Sequence, residues 1–213
     1  VFYLNIFFSL FLAFGVLLMN KFYSAAKDEV LSDAQGSETA ISSNPYEKYP
    51  DYAWLGWLGA AIGVAGISVV RTLEPKLAVD LGIAKSDAAF ILALVSFMQV
   101  IWALLLIKSK SWMYKSKTAI LAGIVGLAGL LLFALGTSKV SLYLAAILYG
   151  SYSSYFYFTL VFFSLVHTTK SGKYLTVNEA VVGVSGIIGA IGGGIMADKT
   201  NLKLTFIACA ILA

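Results

Sequence analysis

VSLYLAAILYGSYSSYFYFTLVFFSLVHTT, residues 140–169, lies between Lys139 and Lys170 and contains no formal charge and no proline. A water-soluble fold of 213 residues has little room to hide such a run. A bilayer has room, because its hydrocarbon core takes about 20 apolar residues per helix. The same punctuation recurs along the chain. Uncharged runs span Val1–Asn20, Tyr52–Val70, Ala88–Ile107, Thr118–Ser138, Val140–Thr169, Ala180–Ala197 and Leu204–Ala213. The reading is all-α: a polytopic transmembrane helical bundle with six full spans and one truncated span.

Composition agrees. Hydrophobic residues make up 60% and charged residues 12%, against roughly 25% charged in ordinary soluble domains. Backbone amides at membrane depth must be satisfied within their own segment, so long uncharged runs become helices. A closed barrel would need alternating strands, and Ala119–Leu135 shows no period of two. The net charge of +4 is carried by lysines between spans, where it sets orientation rather than recruiting nucleic acid. Cys209 is alone in the sequence, so there is no intramolecular disulfide framework. One cysteine and one histidine are too few for a metal centre. Nothing implies a cofactor.

The expected organisation is a span at 1–20, a cytoplasmic central loop at 21–51, and a bundle at 52–213. Its spans fall near 52–70, 88–107, 118–138, 141–167, 177–197 and 204–213, the last cut short. The chain opens on Val1 inside one apolar run and stops at Ala213 inside another, so a fragment is expected. Loops alternate sides. One side carries Lys21, Lys27, Lys48, Lys108, Lys110, Lys115, Lys117, Lys170 and Lys173. The other carries Arg71, Lys76, Lys85, Lys139, Lys199 and Lys203. Positive charge marks the cytoplasmic side, which assigns Lys108–Lys117 to it. The expected location is a cell membrane, read as a prokaryotic cytoplasmic membrane.

Small residues recur at helical spacing. Gly59 and Gly63 lie in the second run, and Gly183, Gly186, Gly189 and Gly193 in the sixth. Small residues let helix backbones approach one another closely, so helix packing is preferred over a phosphate loop, which needs a preceding strand and a Lys-Ser/Thr ending. Gly183-Val184-Ser185-Gly186 superficially suggests an intramembrane serine protease. However, His167 precedes the serine and sits at a helix end, where a cation caps favourably. No catalytic residue is assigned, and the chain is not read as an enzyme.

The fifth run is dense in hydroxyls. Tyr149, Tyr152, Ser153 and Phe156 share a face by their spacing, and with Gln99 of the third run they are the candidate lining of a solute cavity. Gln99 also has a plainer reading as an interhelical hydrogen bond. Thr176 and Glu179 read as a capping box opening the sixth run, with proton coupling through Glu179 as the competing role. Arg71 ends the second run, either as an interfacial anchor paired with Glu74 or as a gate at the outer mouth.

Taken together, Lys170-Ser171-Gly172-Lys173, then Asn178-Glu179-Ala180, Gly183, Gly186, Gly189 and Ile191-Gly192-Gly193 resemble the eleventh-helix region of a major facilitator superfamily transporter. Glu74-Pro75-Lys76 and Asp80-Leu81-Gly82 are similar to the exit from that family's seventh helix. The resemblance covers the carboxy-terminal half of such a protein. It implies secondary active transport of a small solute by alternating access, with a neutral or lipophilic solute favoured by a cavity rich in aromatics and hydroxyls. Its implied partners are the lipid bilayer, the solute, a coupling ion such as the proton, and the missing amino-terminal half. A non-transporting scaffold or receptor-like relative is the alternative. The loop Lys108–Lys117 departs from the family in lacking the usual Gly and Asp.

Overall fold

The computed structural model describes residues 49–109, 111–166 and 170–213. All belong to one compact unit, Pro45–Ala213. The span expected at 1–20, nearly all of the loop expected at 21–51, and His167 lie outside the described residues.

Among the described residues there are six α-helices and no strand: α1 (Ala53–Asp80), α2 (Lys85–Lys108), α3 (Ser116–Leu135), α4 (Lys139–Leu165), α5 (Ser171–Lys199) and α6 (Leu202–Leu212). The chain is all-helical there, but six full spans are not supported among the described residues. Four helices, α1, α2, α3 and α5, are long and apolar enough to cross a membrane. The fourth helix has 27 residues, about 40 Å at 1.5 Å per residue, but its tyrosines and serines keep it out of that apolar set. With 11 residues, α6 is too short.

Two boundaries move, each for a local reason. α1 continues ten residues beyond Val70, because charged side chains do not end a helix. Pro75 lies inside it and only removes one backbone donor. What ends the helix is Gly82, whose φ of 68° is open to a residue without Cβ. There the Gly82 amide donates to Val79 O at 3.0 Å and the Ile83 amide to Ala78 O at 2.8 Å, closing the helix in a Schellman motif. α5 begins at Ser171, six residues before the expected 177. The basic turn is therefore the first turn of the helix rather than its lead-in.

α4 is the axis of the bundle and packs against α1, α2, α3 and α5. Ser138 caps it, with Ser138 and Ser141 exchanging side-chain and backbone hydrogen bonds in a capping box. Its Tyr149 and Tyr152 sit in a core with Val70, Leu73, Ile91, Phe133 and Phe206. Outward faces are apolar as well: Ile120 and Ile124 of α3 and Ile187, Ile191 and Ile195 of α5 are more than half exposed.

Candidate functional site

The hydroxyls of α4 mostly have partners inside the bundle. Ser151 donates to Ile147 O at 2.7 Å, Thr159 to Tyr155 O at 2.9 Å, and Ser164 to Leu160 O at 2.8 Å. These one-turn bonds absorb the polarity that the sequence attributed to a solute. Ser153 accepts a short hydrogen bond from Gln99 Nε2, and Ser154 donates to Gln99 O at 2.9 Å. Gln99 is thus an interhelical tie between α2 and α4. Phe156 lies over Gly59 and Gly63 of α1, where a Cβ at Gly59 would run into its ring.

Two cavities flank the middle of α4. The larger, about 400 Å³, is bounded by α1, α4, α5 and α6 and includes Gly66, Tyr149, Tyr152, Ser185, Gly192 and Cys209 in its wall. A smaller one, about 260 Å³, lies between α2, α3 and α4 beside Trp102, Trp112, Tyr152 and Tyr155. Tyr152 belongs to both walls. Of the five residues expected to line a solute cavity, Tyr149 and Tyr152 line the larger one, and Gln99, Ser153 and Phe156 line neither. Tyr149 is fully buried and its hydroxyl donates to Gly63 O at 3.4 Å. Tyr152 is 1% exposed, and its hydroxyl has no hydrogen-bond partner among the described residues.

One end of the bundle is laced by polar side chains. Asn178 Oδ1 accepts from Trp57 Nε1 and from Ser164 Oγ, each at 2.8 Å, tying α1, α4 and α5 together. Asp51 accepts from the Tyr174 hydroxyl, from the Ala53 amide at 3.1 Å, and from Lys170 Nζ at 3.2 Å. Its carboxylate, acting first through that hydrogen bond, holds the Lys170 amine above the usual lysine range. The Lys108–Lys117 loop closes on aromatics. Trp112 donates to Leu106 O at 2.9 Å and packs on Tyr155 and Phe162. Tyr114 takes a φ of 56° and lies against Phe162 and Phe163.

Three further expectations are corrected. Thr176 and Glu179 cap nothing, since α5 starts at Ser171. Thr176 Oγ1 instead donates to Gly172 O at 3.2 Å within the helix, and Glu179 is exposed. Arg71 and Glu74 do not pair: Arg71 is exposed and Glu74 is fully buried, with neither carboxyl oxygen partnered among the described residues. Among the glycines, Gly189 meets the Ala65 backbone and Gly193 meets Val69. Gly186 stands 3.6 Å from Ser68, whereas Gly183 faces open space. Glu74 was missed because the sequence placed it past the end of a helix. The signal available was Gly82, the first residue after it fit to stop one.

No family model and no curated protein matches the chain.

Proposed function

We propose that this chain is the carboxy-terminal half of a secondary transporter resembling the major facilitator superfamily, embedded in a cell membrane and moving a small neutral or lipophilic solute. The observation that carries the reading is the pairing of its helices. Some of these contacts fall where two three-helix repeats would place them, the broad α1–α5 seam matching α4–α2 and the slighter α1–α2 contact matching α4–α5, although α3–α4 is far broader than its counterpart α6–α1. Three-plus-three inverted repeats with a midplane site are how such transporters are built, and rocking between repeats gives alternating access. The apolar outward faces of α3 and α5 suit a lipid surround. Asp51, Lys170, Tyr174 and Asn178 would then form contacts at the inner mouth that break and re-form.

The test is counterflow in proteoliposomes made from the whole gene product, using a panel of labelled neutral solutes. Exchange above that of empty vesicles supports the reading. Its absence across the panel, with the protein inserted, favours a scaffold. Orientation is checked separately by single cysteines at Ser111 and Ser138 in a Cys209→Ala background. An impermeant thiol reagent on intact cells should label position 138 and spare 111.

A further inference from the structure

We infer that the cavity between α1, α4, α5 and α6 is a binding site for an apolar molecule carrying one hydrogen-bond acceptor, such as a ketone, ester or ether, and that the Tyr152 hydroxyl is the donor that holds it. The cavity is about 400 Å³, within the range of small-molecule sites. Part of its wall is small residues on two helices, Ala65 and Gly66 beside Gly189 and Gly193, and Leu130 and Met196 add apolar bulk. That part of the wall is apolar.

Such a void would be unremarked packing were it not for Tyr152. Its side chain is 1% exposed and its hydroxyl lacks a partner among the described residues. The neighbouring Tyr149 hydroxyl is already engaged with Gly63 O. Tyr152 and Cys209 both belong to the wall of this cavity. A buried hydroxyl left unpaired loses the free energy of its hydrogen bonds to water. A ligand supplying one acceptor atom restores that loss, while its apolar body replaces empty space against the glycine wall. Charged ligands are excluded, because no ionised side chain lines the cavity to compensate their desolvation. The inference goes beyond the transport reading and does not depend on it. A scaffold with this fold would hold the same ligand without moving it.

Benzophenone is the probe: two apolar rings, one carbonyl acceptor, and photoinsertion into nearby C–H bonds under near-ultraviolet light. Irradiation of the detergent-solubilised full chain, followed by residue-resolved peptide mass spectrometry, should place adducts on the lining residues Ser185, Gly189, Gly192, Gly193, Met196 and Cys209. Tyr152→Phe, which keeps the ring and removes the donor, should lower that labelling roughly fivefold, as expected for losing one buried hydrogen bond. Gly192→Leu should abolish it. A Cβ at Gly192 meets nothing within 4 Å, so leucine fills the space without disturbing the helix contacts. Diphenylmethane, the same shape without the carbonyl, should compete poorly. Added phospholipid that displaces the probe identifies a lipid ester as the natural source of the acceptor, and insensitivity to it identifies a free solute. Labelling that persists unchanged in Tyr152→Phe, or that is spread over the outward Ile187, Ile191 and Ile195 in all variants, overturns the inference. Neither result bears on counterflow, so this site and the transport reading fail separately.

Discussion

The two ends of the bundle are held in opposite ways. At the end with the Lys108–Lys117 loop, helices are joined by directed polar bonds: Trp57 and Ser164 to Asn178, Tyr174 and Lys170 to Asp51. At the other end, Val70, Leu73, Leu77, Ile91, Leu142 and Phe206 pack as a dry core, and among the described residues only the Tyr143–Asp87 hydrogen bond of 2.8 Å and an exposed Lys76–Asp198 pair of 3.8 Å cross between helices. Dispersion and apolar packing are lost only when a whole interface separates. Hydrogen bonds at a wet margin exchange with water one at a time, at a net cost of about 1 kcal/mol each. The difference predicts that the laced end opens at lower cost than the apolar end.

The sharpest way to break this comparison is to attack the seam between the ends. Gly189 meets the Ala65 backbone, which cannot give way as a side chain would. Gly189→Leu should force α1 and α5 apart, at or above the upper end of the roughly 1–3 kcal/mol typical of overpacking. Size-exclusion chromatography in detergent should show aggregated or poorly folded protein. Gly183→Leu, on the same helix but facing open space, should elute and melt as the wild type does. Equal damage from both substitutions would mean that α5 does not meet α1 along this face.

The apolar end contains one residue that does not belong there. Glu74 is completely buried, with both carboxyl oxygens unpartnered among the described residues. Buried ionic groups often give way to apolar residues of similar volume with a gain of about 1–4 kcal/mol. Glu74→Met should therefore raise the melting temperature of the solubilised protein. A gain in stability accompanied by loss of counterflow would mark Glu74 as retained for function at the expense of stability. A lowered melting temperature would show that the carboxyl is paired, and the dry-core description of this end would fail.

At the laced end, Asn178→Leu removes the acceptor shared by Trp57 Nε1 and Ser164 Oγ. Ser164 keeps its bond to Leu160 O, so the main loss is at Trp57, about 1–3 kcal/mol for an unsatisfied buried donor. Hydrogen exchange should speed up in 53–60 and 171–178 and stay unchanged in 70–80 and 198–206. Faster exchange at both ends would mean the bundle opens as one unit.

Helical class was readable because it rests on backbone satisfaction, and the uncharged runs forced it. Boundaries were less so. Arg71 and Thr176 looked like helix edges, whereas the edges were set by Gly82 and by Lys170, the residue before Ser171. The spacing of Tyr149, Tyr152 and Phe156 put them on one face, but spacing cannot say whether a face meets a void or another helix. Phe156 fell on Gly59 and Gly63 while Tyr152 fell between two cavities. Serine counts misled most, because a one-turn bond to a backbone carbonyl hides a hydroxyl and leaves no trace in the sequence.

The smallest expected effect belongs to the outermost lace, the Lys170–Asp51 pair, where the lysine side chain is 57% exposed. Solvent screening leaves such pairs little to contribute. Asp51 raises the Lys170 amine above its ordinary value, so the pair's contribution is fully present below the usual lysine pKa of about 10.4 and is lost as pH rises through the raised value of the folded state. Lys170→Met should therefore lower the melting temperature slightly and by the same amount from pH 6 to 9, taken as roughly the accessible range below that pKa. The gap between the two proteins should close at more alkaline pH, and high salt should shrink it at any pH. Tyr174 still donates to Asp51 in the variant, so the carboxylate is not abandoned. A gap that widens with pH would assign the stabilisation to a group other than this amine, and a large drop at neutral pH would make the lysine a structural tie of the same rank as Asn178.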